Sequence, residues 1–189
     1  MRYNQIREMD VSNGEGIGVA LFVQGCHFHC KNCFNSETWD FNSGHEWTQE
    51  VEDKFIELAS KPYIQRVSIL GGEPLADENI NDVLNLVNRI HLSLPQKSIW
   101  LYTGYTWEQI FMYNKQKSNS NVLIFFEEEV IKAYRLRQNI LKQCDVMVDG
   151  RYIDSERDIT LAWRGSKNQK VIDVQQSIQK GEVVLWETH

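Results

Sequence analysis

Apolar residues in this chain come in two rhythms that alternate along its length. Ile17 to Val23 is an unbroken apolar, β-branched run ending at Gln24-Gly25, the pattern of a buried strand. Thr48 then stands as an N-cap, with Glu50 and Glu52 just inside and Val51, Phe55, Ile56, Leu58 and Ala59 at helical spacing. The alternation repeats. Arg66 to Leu70 predicts a second strand stopped by Gly71-Gly72, and Asp77 opens a helix carrying Ile80, Val83, Leu84, Val87 and Ile90 before Pro95. Ser98 to Tyr102 predicts a third strand closing on Thr103-Gly104, with a short helix from Thr106. Val122 to Phe126 is a candidate fourth strand, Glu127 to Gln143 a helix, and Asp145 to Val148 a further strand ending at Asp149-Gly150. Asn114 to Asn121 suits a polar surface loop, and the apolar run Val183 to Trp186 suits an edge strand or a partner contact equally.

Strands alternating with helices imply an α/β fold with a mostly parallel sheet and right-handed crossovers, whose functional loops gather at the strands' C-terminal ends. The cysteine loop after Val23, Gly71-Gly72, Thr103-Gly104 and Asp149-Gly150 are therefore expected on one rim. A closed eight-fold barrel takes about 250 residues. With 189 residues the expectation is a single domain over 1–189, built as an incomplete, open (β/α) barrel whose open side admits a large substrate.

Composition narrows the function classes. A net charge of −6 argues against broad phosphate-backbone binding, so no nucleic-acid partner is expected. The basic run from Lys132 to Arg137 follows Glu127-Glu128-Glu129 and reads as one solvated face of a charged helix. No apolar stretch reaches the length of a membrane span, and Met1-Arg2-Tyr3-Asn4 lacks the apolar core of a secretory signal, so a cytoplasmic protein away from membranes is expected.

The chemistry is concentrated in Cys26-His27-Phe28-His29-Cys30-Lys31-Asn32-Cys33. Three thiols crowded into one loop fit metal binding in a reducing compartment better than a disulfide framework. Three thiolates are one fewer than a four-iron cube can take, which leaves one iron open for chemistry. Zinc is the rival, with His27, His29 or His45 as fourth ligand of a closed Cys₃His site. The spacing favours a cluster, because zinc knuckles pair two separate hooks, and it assigns no histidine a catalytic role. Cys144 reads as a buried free thiol packing as a small hydrophobe.

The C-x₃-C-x₂-C loop after a first strand, with Gly71-Gly72-Glu73-Pro74 after the second, resembles the radical S-adenosylmethionine enzymes. Further segments are similar to the glycyl-radical activases that serve anaerobic ribonucleoside-triphosphate reductase. They are Asn13-Gly14, Leu21 to Cys26, Cys33-Phe34-Asn35, Thr38-Trp39, Tyr102 to Tyr105, Val148 to Arg151 and Trp163 to Gln169. The resemblance implies an oxidoreductase in which Cys26, Cys30 and Cys33 hold a [4Fe-4S] cluster and S-adenosyl-L-methionine binds its open iron. It implies that Asn32, Cys33, Phe34, Gly71, Gly72 and Glu73 contact the S-adenosylmethionine, Gly72 foremost. Superfamily members often carry an aromatic residue just before the third cysteine; here that position is Asn32 and the aromatic is Phe34. The implied partners are the reductase large subunit, on which a glycyl radical is made, and a reduced electron carrier such as flavodoxin. Another glycyl-radical enzyme as target, or a non-catalytic iron-sulfur or zinc module, remain alternatives. Trp163 to Gln169 is open between docking the reductase, closing over the site and anchoring a loop.

Overall fold

In a computed structural model, which describes residues 1–111 and 128–187, four parallel strands form the centre of one sheet. They are β2 (Gly18–Val23), β4 (Arg66–Gly71), β5 (Ser98–Tyr102) and β6 (Val146–Asp149). The helices α1 (Gln49–Ser60), α2 (Ile80–Ser93), α3 (Trp107–Phe111) and α4 (Glu128–Leu141) lie between them in the chain. Antiparallel strands complete the sheet: β1 (Arg2–Asp10) and β3 (His45–Glu46) beyond β2, and β7 (Lys170–Asp173) beyond β6, followed by α5 (Val174–Lys180). The strand order is β3-β1-β2-β4-β5-β6-β7.

Strand periodicity explains how the sheet carries both a core and a site. Side chains alternate between faces. Val19, Leu21, Val23, Val67, Ile69, Ile99, Leu101 and Met147 share one cluster with the buried residues of the helices, Phe55, Leu58, Val83, Leu86, Val87 and Ile90 among them. The alternate set, Phe22 paired with Leu70 and Tyr102 paired with Val148, faces the other way and lines a cavity. Beneath it Trp100 packs edge-on against Trp163 and Trp186.

Most predicted elements fall where the pattern puts them, and Thr48 caps α1 by accepting a hydrogen bond from the Val51 N–H. Helix α2 starts three residues later than Asp77, because the Asn79 amide donates to the carbonyls of Gln24 and Glu73 and holds residues 76–79 in a turn. Strands β1, β3 and β7 were not predicted. β1 is almost wholly polar, and only pairing with the free edge of β2 makes it a strand. The run Val183 to Trp186 adds to the edge of β7: the Asp173 N–H donates to Val184 O (2.9 Å) and the Trp186 N–H to Val171 O (2.8 Å). The candidate strand Val122 to Phe126 and the loop Asn114 to Asn121 lie outside the described residues.

The solvated-face reading of Lys132 to Arg137 needs correction at its last residue. Arg137 is buried, donates through Nε to Leu75 O (2.9 Å), pairs with Asp77 and lies 4.7 Å over the Tyr105 ring. It clamps α4 onto the loop that follows β4, since an arginine stem buries well when its head finds acceptors. At the opposite end of the sheet Arg66, fully buried, donates to Asp10 Oδ1 (2.7 Å), Asp10 O and Glu15 O. Among the described residues no helix is long and apolar enough to cross a membrane.

Candidate metal and cofactor site

The cysteine loop leaves β2 through Gly25, whose φ of +96° is left-handed and costs a glycine nothing. Backbone bonds fold residues 26–44 back onto that exit: Gly25 N–H to Thr38 O (2.7 Å) and Cys26 N–H to Trp39 O (3.0 Å). The Gln24 amide adds bonds to the carbonyls of Glu37 and Asp40. The second strand end meets the first there. Gly72 N–H donates to Val23 O and Glu73 N–H to Gly25 O (2.7 Å), so close that a Cβ on Gly72 would sit 2.4 Å from the Gly25 oxygen.

Cys26, Cys30 and Cys33 are all free thiols and all border one cavity of about 560 Å³ at this rim. Burial pushes the Cys26 thiol up to about 11, against hydrogen bonds from the Phe28 and His29 backbone that favour its thiolate. Cys30 is raised by burial and by neighbouring Cys33, and opposed by the Tyr152 backbone and Arg151. The Asn35 N–H points at Cys33 Sγ (3.5 Å). Among the described residues no three His, Cys, Asp or Glu side chains are grouped so as to hold a single metal ion. A four-iron cube takes one thiolate per iron, so its ligands need to share a cavity and not one ion. That donor set, three soft thiols met by backbone N–H groups on a common wall, fits an iron-sulfur cluster.

The same cavity carries polar atoms left without partners. The Tyr102 hydroxyl, the Trp39 indole N–H and Arg164 Nε are buried and make no hydrogen bond, and all three residues are in its wall. Buried polar groups are nearly always satisfied, so unsatisfied ones around a cavity mark where a ligand's complementary groups would sit. A polar, partly apolar-lined space of this size fits a nucleoside-bearing cofactor.

Of the residues expected to touch that cofactor, Cys33, Phe34, Gly71, Gly72 and Glu73 border the cavity. Asn32 does not: at φ +55° its side chain turns away and donates to Asp154 Oδ2 (2.9 Å). Phe34 leans on Tyr152 (5.2 Å) and is partly exposed at the mouth. Glu73 is buried, and its carboxylate accepts from the Thr103 hydroxyl (2.7 Å), the Gly104 N–H (2.7 Å) and the Leu75 N–H (2.9 Å). Burial lifts its pKa to about 7 despite those donors. It thus ties the end of β4 to the end of β5. His27 pairs with Glu78 and leans on Phe41, His29 stacks on Trp39, and His45 meets Tyr3 in β1.

The sequence marks Trp163 to Gln169 as unusual without giving it a place, and nothing in it marks Arg7, Ser12 or Tyr152. The structure puts Trp163, Arg164, Gly165 and Gln169 in the cavity wall beside them. The signal was the density of unusual residues in Trp163-Arg164-Gly165-Ser166, which has no periodicity and so resists assignment to an element.

A sequence model of the 4Fe-4S single cluster domain family matches residues 12–172. Relatives of the chain are anaerobic ribonucleoside-triphosphate reductase-activating proteins. That of Vibrio cholerae is 39% identical over 173 residues, covering 90% of this chain and 97% of its own. That of Escherichia coli K12 is 34% identical with the same coverage, and that of phage T4 is 34% identical over 90% of this chain and 93% of its own.

Proposed function

The chain belongs to the family of anaerobic ribonucleoside-triphosphate reductase-activating proteins with a 4Fe-4S single cluster domain, and from that premise we propose that it activates such a reductase by making a radical on a glycine of its large subunit. The observation that carries this reading is the convergence of Cys26, Cys30 and Cys33 on one cavity with Gly71-Gly72 and three unpartnered polar atoms. Cys26, Cys30 and Cys33 would hold a [4Fe-4S] cluster, which when bound would supply one electron to S-adenosylmethionine; that electron together with one hydrogen atom taken from the glycine would account for the products, methionine, 5′-deoxyadenosine and the glycyl radical.

The chain's own residues do the rest. Gly71 and Gly72 keep the wall thin, so that a ligand can approach the backbone. The Glu73 carboxylate has about four acceptor positions and uses three on the protein, leaving one for the cofactor's ammonium group. Phe22, Leu70, Tyr102 and Val148 floor the cavity and give it a largely apolar base. The four parallel strands with this floor are read as an open half-barrel of the radical S-adenosylmethionine type, whose unclosed side receives the reductase. The electron has to come from a reduced carrier, for which flavodoxin is the proposed class. A cytoplasmic setting accords with four cysteines that are all free.

One anaerobic experiment tests the reading. Protein loaded with iron and sulfide, given reductant and S-adenosylmethionine, is expected to release 5′-deoxyadenosine, and adding the reductase is expected to give a glycyl-radical signal in electron paramagnetic resonance. No 5′-deoxyadenosine from fully loaded protein sinks the enzyme reading; product without a reductase radical moves the target to another glycyl-radical enzyme.

A further inference from the structure

Arg164 is a cation held in place with nothing of its own to bind. It borders the cavity, its Nε is buried without a hydrogen-bond partner, and among the described residues it makes no ion pair. The other charged groups of the wall are engaged. Arg7 lies 4.4 Å over the Phe22 ring and 3.7 Å from Asp10; Arg151 lies 4.3 Å over the Phe28 ring; Asp158 meets Lys167 at 3.8 Å.

The backbone on both sides of Arg164 is pinned. Trp163, at a left-handed φ of +59°, is wedged edge-on against buried Trp100. The N–H groups of Gly165 and Ser166 both donate to Gln169 Oε1 (2.9 and 3.2 Å), and the Gln169 amide donates in turn to Gly150 O (2.8 Å). A non-glycine residue in the left-handed region costs free energy and persists where surrounding structure imposes it, commonly at ligand sites. The segment from Trp163 to Gln169 therefore holds Arg164 at the cavity wall under local strain.

We propose that Arg164 binds the carboxylate of S-adenosylmethionine, an assignment that rests on the cofactor reading above. Arg164 is half-buried, and its Nε, shut off from water without an acceptor, calls for one from a ligand, best supplied by an anion that matches the planar fork of the guanidinium. The cofactor carries two positive groups, its sulfonium and its ammonium, and a single carboxylate. Repulsion from the first two and attraction to the third would set which way round it enters.

The test is binding and not turnover. Dissociation constants of S-adenosylhomocysteine, which keeps the carboxylate but has no sulfonium to cleave, and of decarboxylated S-adenosylmethionine are measured without reductant on cluster-loaded protein. Arg164→Ala is expected to weaken S-adenosylhomocysteine roughly 10- to 100-fold, the worth of one charged hydrogen-bond pair. Arg164→Lys should recover part of that loss, and the decarboxylated compound should bind the parent and the Ala variant alike. Should Arg164→Ala fail to fold by thermal melting, Arg164→Gln reads the same comparison. Equal affinity of parent and variant for S-adenosylhomocysteine overturns the assignment alone, as does an equal loss for both compounds. A raised KM for the reductase with unchanged cofactor binding also overturns it, by giving Arg164 to the protein substrate. If the parent protein binds neither compound, the cofactor reading falls first and takes the assignment with it.

Discussion

Gly72 has no room for a side chain, and this is a matter of space and not of backbone angle. A Cβ there would lie 2.4 Å from the Gly25 oxygen and 2.9 Å from its carbonyl carbon, both backbone atoms that cannot swing aside. Gly72→Ala is expected to pry the cysteine loop from the end of β4, costing about 1–3 kcal/mol in chemical denaturation, as overpacking does, and greatly reducing 5′-deoxyadenosine yield. The four cysteines divide just as sharply. Cys144 is fully buried, donates to Ile140 O and lies in the core under the helices. Cys144→Ala should keep cluster content and product formation, at a stability cost of about 1 kcal/mol. Cys30→Ala should abolish both; iron and sulfide analysis beside the product assay checks the pair.

At the scale of elements, the far end of the sheet is held by an ion pair that joins the end of β1 to the start of β4. Burial pushes the Asp10 carboxyl up, but hydrogen bonds from Arg66 and Asn13 outweigh that and hold it below the usual carboxylate range. A folded-state pKa below the unfolded one means that the stabilisation is complete above the unfolded value, about 3.9, and drains away as pH falls through the folded value. Asp10→Asn leaves a buried guanidinium uncompensated and should cost about 3 kcal/mol at neutral pH. Urea unfolding at pH 7 and below pH 4 checks the sign: the gap between parent and variant should narrow on acidification. The strap from Gly150 to Gln169 is an element of another kind, without periodicity, held by the Arg157–Ser166 bridge and by Gln169.

For the molecule as a whole, the sheet has a core on each face, and they differ in kind. One lies under the helices; the other is a small cluster around Trp100, closed by Trp163 from the strap and Trp186 from the tail. Trp186 also donates its indole N–H to Glu15 Oε2 (3.1 Å), so the tail holds down the loop between β1 and β2. Trp186→Ala should lower stability by about 2 kcal/mol, since a half-buried aromatic gives less than the 3–5 kcal/mol of a fully buried one. Iron and sulfide loading should stay unchanged, because no cysteine touches that cluster; calorimetry and metal analysis together read the difference.

Local pattern determined β2, β4, β5, β6 and α1 to α4, because a strand or helix with a continuous apolar signature needs no distant partner to declare itself. It also determined the cysteine loop and the Gly71-Gly72 turn, whose residue types restrict what they can do wherever they lie. Only the tertiary structure decided β1 and β7, whose pairing partners supply what their own sequences lack. It alone placed Arg137 in the interior, where Leu75, Asp77 and Tyr105 meet it from another part of the chain, and turned Asn32 away onto Asp154. The strap was legible as an unusual string of residues and illegible as a wall of the site. Its position follows from contacts between Trp163 and Trp100, 63 positions apart, and no local propensity encodes a contact of that range.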